Sequence, residues 1–335
     1  MEKEYKIYFV SSVLIFIVSF SSFVLINDQL NAKNPLQNLT NPDTGNSNTN
    51  TDNLDFNGTR AFSYLKAQVD IGFRPPNSSG IEKTRVLIIE QLLKFNWTVE
   101  LNNFTYMGVK SVNILAFPGN SNHSNVVLFG AHYDTRWWAD DDLDVSKHHD
   151  PVMGANDGAS GVAVLLEFAQ IFANKSGVAL LFIDAEDQGG INGWEYGAGA
   201  YEFVNSTVLN QFFPNGKSDI KLFLLFDMIG DWHLNIKKER FSNATINDQI
   251  WQIANELNYG TAFTNDPGYY MIDDHTAFLQ AGISAVDLID YDYYDANGSN
   301  LHHTTHDTLQ YVSADSLSIV GKTIQYWFEA FGKTI

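Results

Sequence analysis

Three apolar runs in this chain each end on residues that bind cations or protons. Residues 126–131 lead into His132 and Asp134, residues 178–183 into Glu186 and Asp187, and residues 222–226 into Asp227. Runs of this length bounded by polar residues read as buried strands. Further runs at 112–117 and 283–289 add two strands, and residues 158–173, 246–257 and 314–331 have helical periodicity, the last with Ser313 placed to cap it. Strands alternating with helices predict an α/β fold whose mostly parallel central sheet is covered on both faces. Ligands of such sheets gather beyond the carboxyl ends of the strands, so three strands are expected to deliver acids and imidazole to one rim.

Composition narrows the chemistry at that rim. The 335 residues carry 20 Lys and Arg against 39 Asp and Glu, a formal charge of -19 that repels phosphate backbones and argues against a nucleic-acid partner. The chain has no cysteine, which excludes disulfides, thiolate metal sites and a cysteine nucleophile. Any metal must therefore sit on His, Asp and Glu.

The amino-terminal part reads differently. Residues 7–26 are uncharged and apolar behind Lys3 and Lys6, which is long enough to span a bilayer and longer than a typical signal-peptide core. A signal anchor over residues 1–26 is expected, with a cleaved signal peptide ending near Ser19 and Ser21 as the alternative. Residues 27–54 are rich in Asn, Thr, Asp and Pro and predict a disordered tether. Residues 55–335 are then expected to form one folded domain that carries the rim residues. Asn-x-Ser/Thr sequons recur from Asn38 to Asn297 and suit a glycosylated domain outside the cell, membrane-anchored at the surface or secreted.

Singly, the rim residues have ordinary explanations: Asp157 as a helix cap, His132 as a satisfied histidine, Glu186 and Asp187 as a solvated turn. Together, crowded carboxylates repel unless a cation is held among them. Imidazole and carboxylate without thiol suit zinc, and two ions about 3.5 to 4 Å apart would share a bridging carboxylate. Neighbours at a strand end point in opposite directions, so one of Glu186 and Asp187 can coordinate while the other acts as general base.

The motifs Gly130-Ala131-His132-Tyr133-Asp134, Gly154 to Val162 with Asn156-Asp157-Gly158 at its centre, Asp184-Ala185-Glu186-Asp187-Gln188-Gly189, Asp227-Met228-Ile229-Gly230, Asp273-Asp274-His275 and His303-Thr304-Thr305-His306-Asp307-Thr308 occur in this order. In this the chain resembles metallopeptidase family twenty-eight, which holds zinc aminopeptidases and the related glutaminyl cyclases. The resemblance runs from about residue 55 to the end and implies the three-layer zinc-exopeptidase fold. It also implies one or two zinc ions on His132, Asp157, Asp187, Asp227 and His303, with Asp157 bridging if two bind. Glu186 would be the general base or acid, and Asp134 would orient His132. Many family members have Glu where this chain has Asp187, and the shorter side chain demands a tighter loop.

What the resemblance implies about activity has two branches, both acting on free N-termini of peptides or proteins. An aminopeptidase attacks the first peptide carbonyl with a metal-bound water deprotonated by Glu186, whereas a glutaminyl-peptide cyclotransferase closes an N-terminal Gln on itself and releases ammonia. Asp273, like an additional acid of cyclases, and Trp194, like a cyclase pocket tryptophan, point to cyclisation and are the candidate substrate-binding residues. His302, where cyclases usually carry Trp, and the spacing of the His303 motif point to hydrolysis, the expected activity. A non-catalytic extracellular binding domain is the remaining alternative, and five competent donors argue against it. The loop containing Trp137, Trp138, Asp140, Asp141, Asp142 and Asp144 could line the pocket mouth, recognise an amine, bind calcium or simply be solvated.

Overall fold

A computed structural model of the chain describes residues 54–119, 123–332 and 334–335. The apolar run at 7–26, the expected tether apart from Leu54, and the sequons at Asn38 and Asn122 lie outside the described residues. No helix among the described residues is long and apolar enough to cross a membrane.

Six strands form the central sheet: β1 Trp97–Tyr106, β2 Val109–Pro118, β3 Val126–His132, β4 Val178–Ile183, β5 Ile220–Asp227 and, counting past a small side pair, β8 Ala285–Ile289. The side pair is β6 Ile236–Lys238 with β7 Phe263–Pro267. The order across the main sheet is β1-β2-β4-β3-β5-β8. β4, β3, β5 and β8 run parallel, while β1 and β2 form an antiparallel edge. The sheet is thus mixed but mostly parallel. β1 and β2 are joined through Met107 and Gly108 at φ 49° and 82°, the backbone of a tight two-residue hairpin.

The inner strands β2, β3, β4, β5 and β8 alternate their side chains between two apolar layers. Val127, Phe129 and Ala131 of β3, with Leu222, Leu224 and Phe226 of β5, face helices α1 Gly58–Ile71, α2 Ser79–Lys94, α3 Ala159–Ile171, α6 Ala244–Glu256 and α8 Ala314–Trp327. Val126, Leu128, Phe223 and Leu225 face α4 Ala198–Asn205, α5 Thr207–Phe212 and α7 Asp274–Gln280 on the other side. The three layers follow from strands that are apolar on both faces. α3 is buried over almost its whole length, which explains its uniformly apolar sequence. Ser313 caps α8 as expected, its hydroxyl accepting the Ser316 N–H at 3.0 Å.

Candidate metal centre

The chain passes from β3 through α3 to β4 on one side of β3, then returns to β5 on the other, so the cleft opens where the strand order reverses. His132 is the last residue of β3 and Asp227 the last of β5, and His132 Nε2 lies 3.2 Å from Asp227 Oδ1. The loop before α3 brings in Asp157, whose Oδ1 is 3.1 Å from the same nitrogen. The other Asp157 oxygen, Oδ2, lies 3.7 Å from His303 Nε2, and that nitrogen is 2.9 Å from Asp187 Oδ1. Two donor sets result, His132-Asp157-Asp227 and His303-Asp157-Asp187, which share Asp157 through different oxygens. All five side chains are buried.

This donor set fits zinc. Two donors about 2.0 to 2.1 Å from one ion at a tetrahedral angle stand about 3.3 Å apart, and the observed separations scatter around that value. Asp157 Oδ2 and Asp187 Oδ2 are buried without a hydrogen-bond partner among the described residues. Burial pushes the Asp187 carboxyl well above the usual range and the Asp157 charge adds to it; Asp227 is raised by burial too. Burial also opposes the charge on Asp157, but its hydrogen bond to His132 and the nearby imidazoles hold it below the usual range. Burial, then the charge of Arg136, lowers His303 to about 4 and leaves it neutral, the form that ligates metal. His132 is disfavoured as a cation by burial, yet Asp134, Asp157 and Asp227 hold it well above its ordinary value. An ion bound among those carboxylates would replace that proton.

Two local features differ from what the sequence suggests. Asp157 is not a helix cap: the cap position of α3 is Gly158, with no side-chain capping bond. Gly158 sits at φ 95°, and a Cβ there would meet the Asp134 carbonyl at 2.6 Å, so the ligand loop needs glycine. Glu186 and Asp187 do not take opposite directions from a strand pleat, since β4 stops at Ile183 and they follow a bend through Ala185 in the left-handed region at φ 63°.

Hydrogen bonds over long sequence distances fix that bend. Buried Asp134 accepts the Glu186 N–H at 3.1 Å on one oxygen, and the Asp187 N–H at 3.3 Å and Gln188 Nε2 at 3.1 Å on the other. Its Oδ1 also lies 3.5 Å from His132 Nδ1, so one carboxylate ties the end of β3 to the turn after β4. Arg136 donates to the carbonyls of Asp187 and Gly189, both at 3.0 Å, and grips Asp140 with the rest of its guanidinium. Arg74, fully buried, donates to the Gly154 carbonyl at 2.7 Å from one side of the Asp157 loop. Asp307 accepts the backbone N–H of Asn156 at 2.8 Å and of Asp157 at 3.1 Å from the other. Arg74 and Arg136 escaped the sequence reading because nothing local marks them; Asp307 was visible only as part of a motif.

The remaining candidates lie as follows. Glu186 is buried, with Oε2 3.9 Å from His132 Nδ1; burial raises its carboxyl well above the usual range, and Asp273, Asp274 and Asp187 raise it further. Asp273 caps α7 and keeps one buried oxygen, Oδ2, unpartnered; burial and then Asp227 push it up to about 7. Trp194 is 5% exposed, packed edge-on against Tyr106 and Trp137 with ring centroids at 5.0 and 4.9 Å. The aromatic ring beside the ligands in that segment is instead Tyr196, stacked on His303 at 6.3 Å. His302 stacks on His303 at 3.5 Å, with Nε2 3.7 Å from Asp157 Oδ2. In the acidic loop, Asp140 is taken by Arg136, while Asp142 accepts Thr305 N–H at 3.0 Å and its hydroxyl at 2.6 Å. Asp144 caps a short turn through Ser146. Those three acids hold the loop itself.

The chain matches the model of peptidase family M28 over residues 113–328. It is 30% identical over 174 residues to a probable zinc metalloprotease of Pyrenophora tritici-repentis, a match covering 46% of this chain and 32% of that protein. It is 24% identical over 287 residues to a glutaminyl-peptide cyclotransferase-like protein of Bos taurus, covering 72% of this chain and 70% of that one. Among solved structures, a leucine aminopeptidase precursor from Bacteroides thetaiotaomicron superposes with a TM-score of 0.72 at 30% identity, covering 81% of this chain and 96% of that one. A glutaminyl cyclase from the same organism gives 0.72 at 29% identity, covering 81% and 97%.

Proposed function

Because the chain belongs to peptidase family M28, and is thus a zinc enzyme of the peptidase and glutaminyl cyclase type, we propose that it is an aminopeptidase acting on free N-termini of peptides. The observation that carries this reading is the division of Asp157 between two donor sets, each with its own histidine and second carboxylate. Two adjacent donor sets are the arrangement in which two-metal hydrolysis operates. When bound, zinc supplies Lewis-acid polarisation of the scissile carbonyl.

The proton work falls to Glu186. It takes a proton from the attacking water and delivers one to the departing amine nitrogen, so it changes protonation state twice per turnover. A carboxyl raised by burial and by neighbouring acids suits that exchange better than a solvated one. Asp134 holds Glu186 and Asp187 by their backbones, which keeps base and ligand side by side.

Cyclisation is the second reading, and Asp273 favours it. There the α-amine attacks the side-chain amide and Glu186 carries the proton from amine to leaving ammonia; a buried acid with a free oxygen, whose charge acts on Glu186, would help steer that proton. Zinc-loaded protein given Leu-Ala and Gln-Ala separates the two: release of free amino acids supports hydrolysis, and release of ammonia from Gln-Ala alone supports cyclisation. Absence of both refutes the enzyme reading.

A further inference from the structure

A strip of aromatic rings leaves the metal centre and runs out over the surface. His302, beside Asp157, meets Tyr291 edge-on with ring centroids 5.5 Å apart, and Tyr291 meets Tyr269 at 5.6 Å. Tyr291 is 39% exposed and Tyr269 41% exposed. Both rings line a depression together with Met271 and Ile289 and the polar side chains of Asn235, Lys237, Glu239 and Asp292. Its polar groups are already paired: the Tyr269 hydroxyl donates to Asp292 Oδ1 at 2.8 Å, and Lys237 pairs with Asp292 while lying 5.3 Å from the centre of the Tyr269 ring. What the strip offers a partner is therefore apolar ring surface. It is also held in place, because Arg240 N–H donates to the Tyr269 carbonyl and Met271 N–H to Glu239 Oε1.

We infer that this ledge binds the second to fourth residues of a peptide whose N-terminal residue occupies the metal centre, and that it favours apolar side chains there. The inference rests on the reading that the substrate is a peptide N-terminus. Two successive ring spacings cover about the length of three extended residues at roughly 3.3 Å each. An extended chain leaving the metals past His302 would lay alternate side chains against Tyr291 and Tyr269. The enzyme is then selective for oligopeptides or protein N-termini over dipeptides. Each well-seated aromatic contact contributes enough for a selectivity of about tenfold.

The test compares kcat/KM for Leu-Leu with that for Leu-Leu-Ala-Leu-Ala, alongside Gln-Leu and Gln-Leu-Ala-Leu-Ala, in zinc-loaded full chain. Binding of the same peptides to the zinc-loaded Glu186→Gln variant is measured by calorimetry. The pentapeptide is expected to be preferred about tenfold. Tyr269→Ala should bring that ratio close to one, Tyr269→Phe should restore it, and Tyr326→Ala, exposed on α8, should not move it. Turnover with equal constants for short and long peptides overturns the ledge and leaves the proposed activity standing. If no peptide is turned over, the activity fails and the ledge is judged by binding: length-dependent affinity lost in Tyr269→Ala supports it, and flat affinity overturns it. A dimer that Tyr269→Ala converts to monomer also overturns it, since a second copy would then cover the rings.

Discussion

Replacing Asp134 with Asn removes a charge from a residue that belongs to neither donor set, yet its effect should be felt at the metals. The carboxylate accepts two hydrogen bonds on one oxygen and one on the other, and faces His132 Nδ1. Asparagine keeps a single acceptor oxygen. Whichever way the amide is turned, its NH2 group meets a backbone N–H, of Glu186 in one orientation and of Asp187 in the other. One or two bonds to a charged acceptor are lost, each worth about 1.5 to 3 kcal/mol, and we take about 3 kcal/mol as the central value. His132 also loses its anionic partner, a change that typically lowers metal affinity about 10- to 100-fold. For a domain of this size, about 3 kcal/mol corresponds to a fall in Tm of about 6 to 12 °C. Competition with a chromogenic chelator reads the zinc affinity, and calorimetry of the zinc-loaded protein reads Tm. If Asp134→Asn binds zinc within twofold of the parent and melts within a degree of it, the clamp does not hold the site.

Three further outcomes follow from the same geometry. Glu186→Gln should lower kcat by about a thousandfold or more while zinc stoichiometry by atomic absorption stays at the parent value; loss of metal would mean that Glu186 and Asp187 have exchanged roles. Gly158→Ala places a methyl 2.6 Å from the Asp134 carbonyl at φ 95°, so it should destabilise by about 3 kcal/mol and weaken zinc together with stability; a fully stable variant in urea would contradict the loop geometry. Burial pushes both Asp273 and Asp307 up to about 7, above their value of about 4 in the unfolded chain. The native zinc-free state therefore binds more protons than the unfolded one between those values, and this stability is present below pH 4 and lost as pH rises through 7. Melting of chelator-treated protein should fall from pH 5 to pH 8, and zinc should flatten the slope; a rise with pH in the zinc-free protein would refute it.

What the sequence disclosed and what it concealed divide along sequence distance. β3, β4 and β5 were legible because each is apolar on both faces and ends abruptly on acid or imidazole, so both the parallel sheet and its functional rim follow from one local pattern. The antiparallel edge was half legible: β2 is apolar enough to see, but β1 has buried residues only at Trp97 and Asn102 and no pattern to mark it. α1 and α2 mix polar and apolar residues and escaped notice for the same reason. At the site, every proposed ligand came from a strand end or a compact motif, and the structure brings all five together. The residues that hold them were hidden. Arg74 supports Gly154 across 80 residues and Arg136 supports Asp187 across 51, and no spacing rule connects an arginine to a carbonyl that far along the chain.

These hidden supports also explain how an aspartate can serve at position 187. A carboxylate one methylene shorter than Glu reaches His303 Nε2 at 2.9 Å only if its backbone is brought toward the ligands. Three interactions do this: Asp134 accepts the Asp187 N–H, Arg136 binds its carbonyl, and Ala185 takes a left-handed turn that L residues adopt at some cost in strain. The short ligand and the tight turn are therefore one feature. Lengthening the side chain alone, as in Asp187→Glu, would drive the carboxylate past the position that Arg136 and Asp134 have fixed for the backbone, and removing either support would loosen the hold on the Asp187 carboxylate and weaken metal binding.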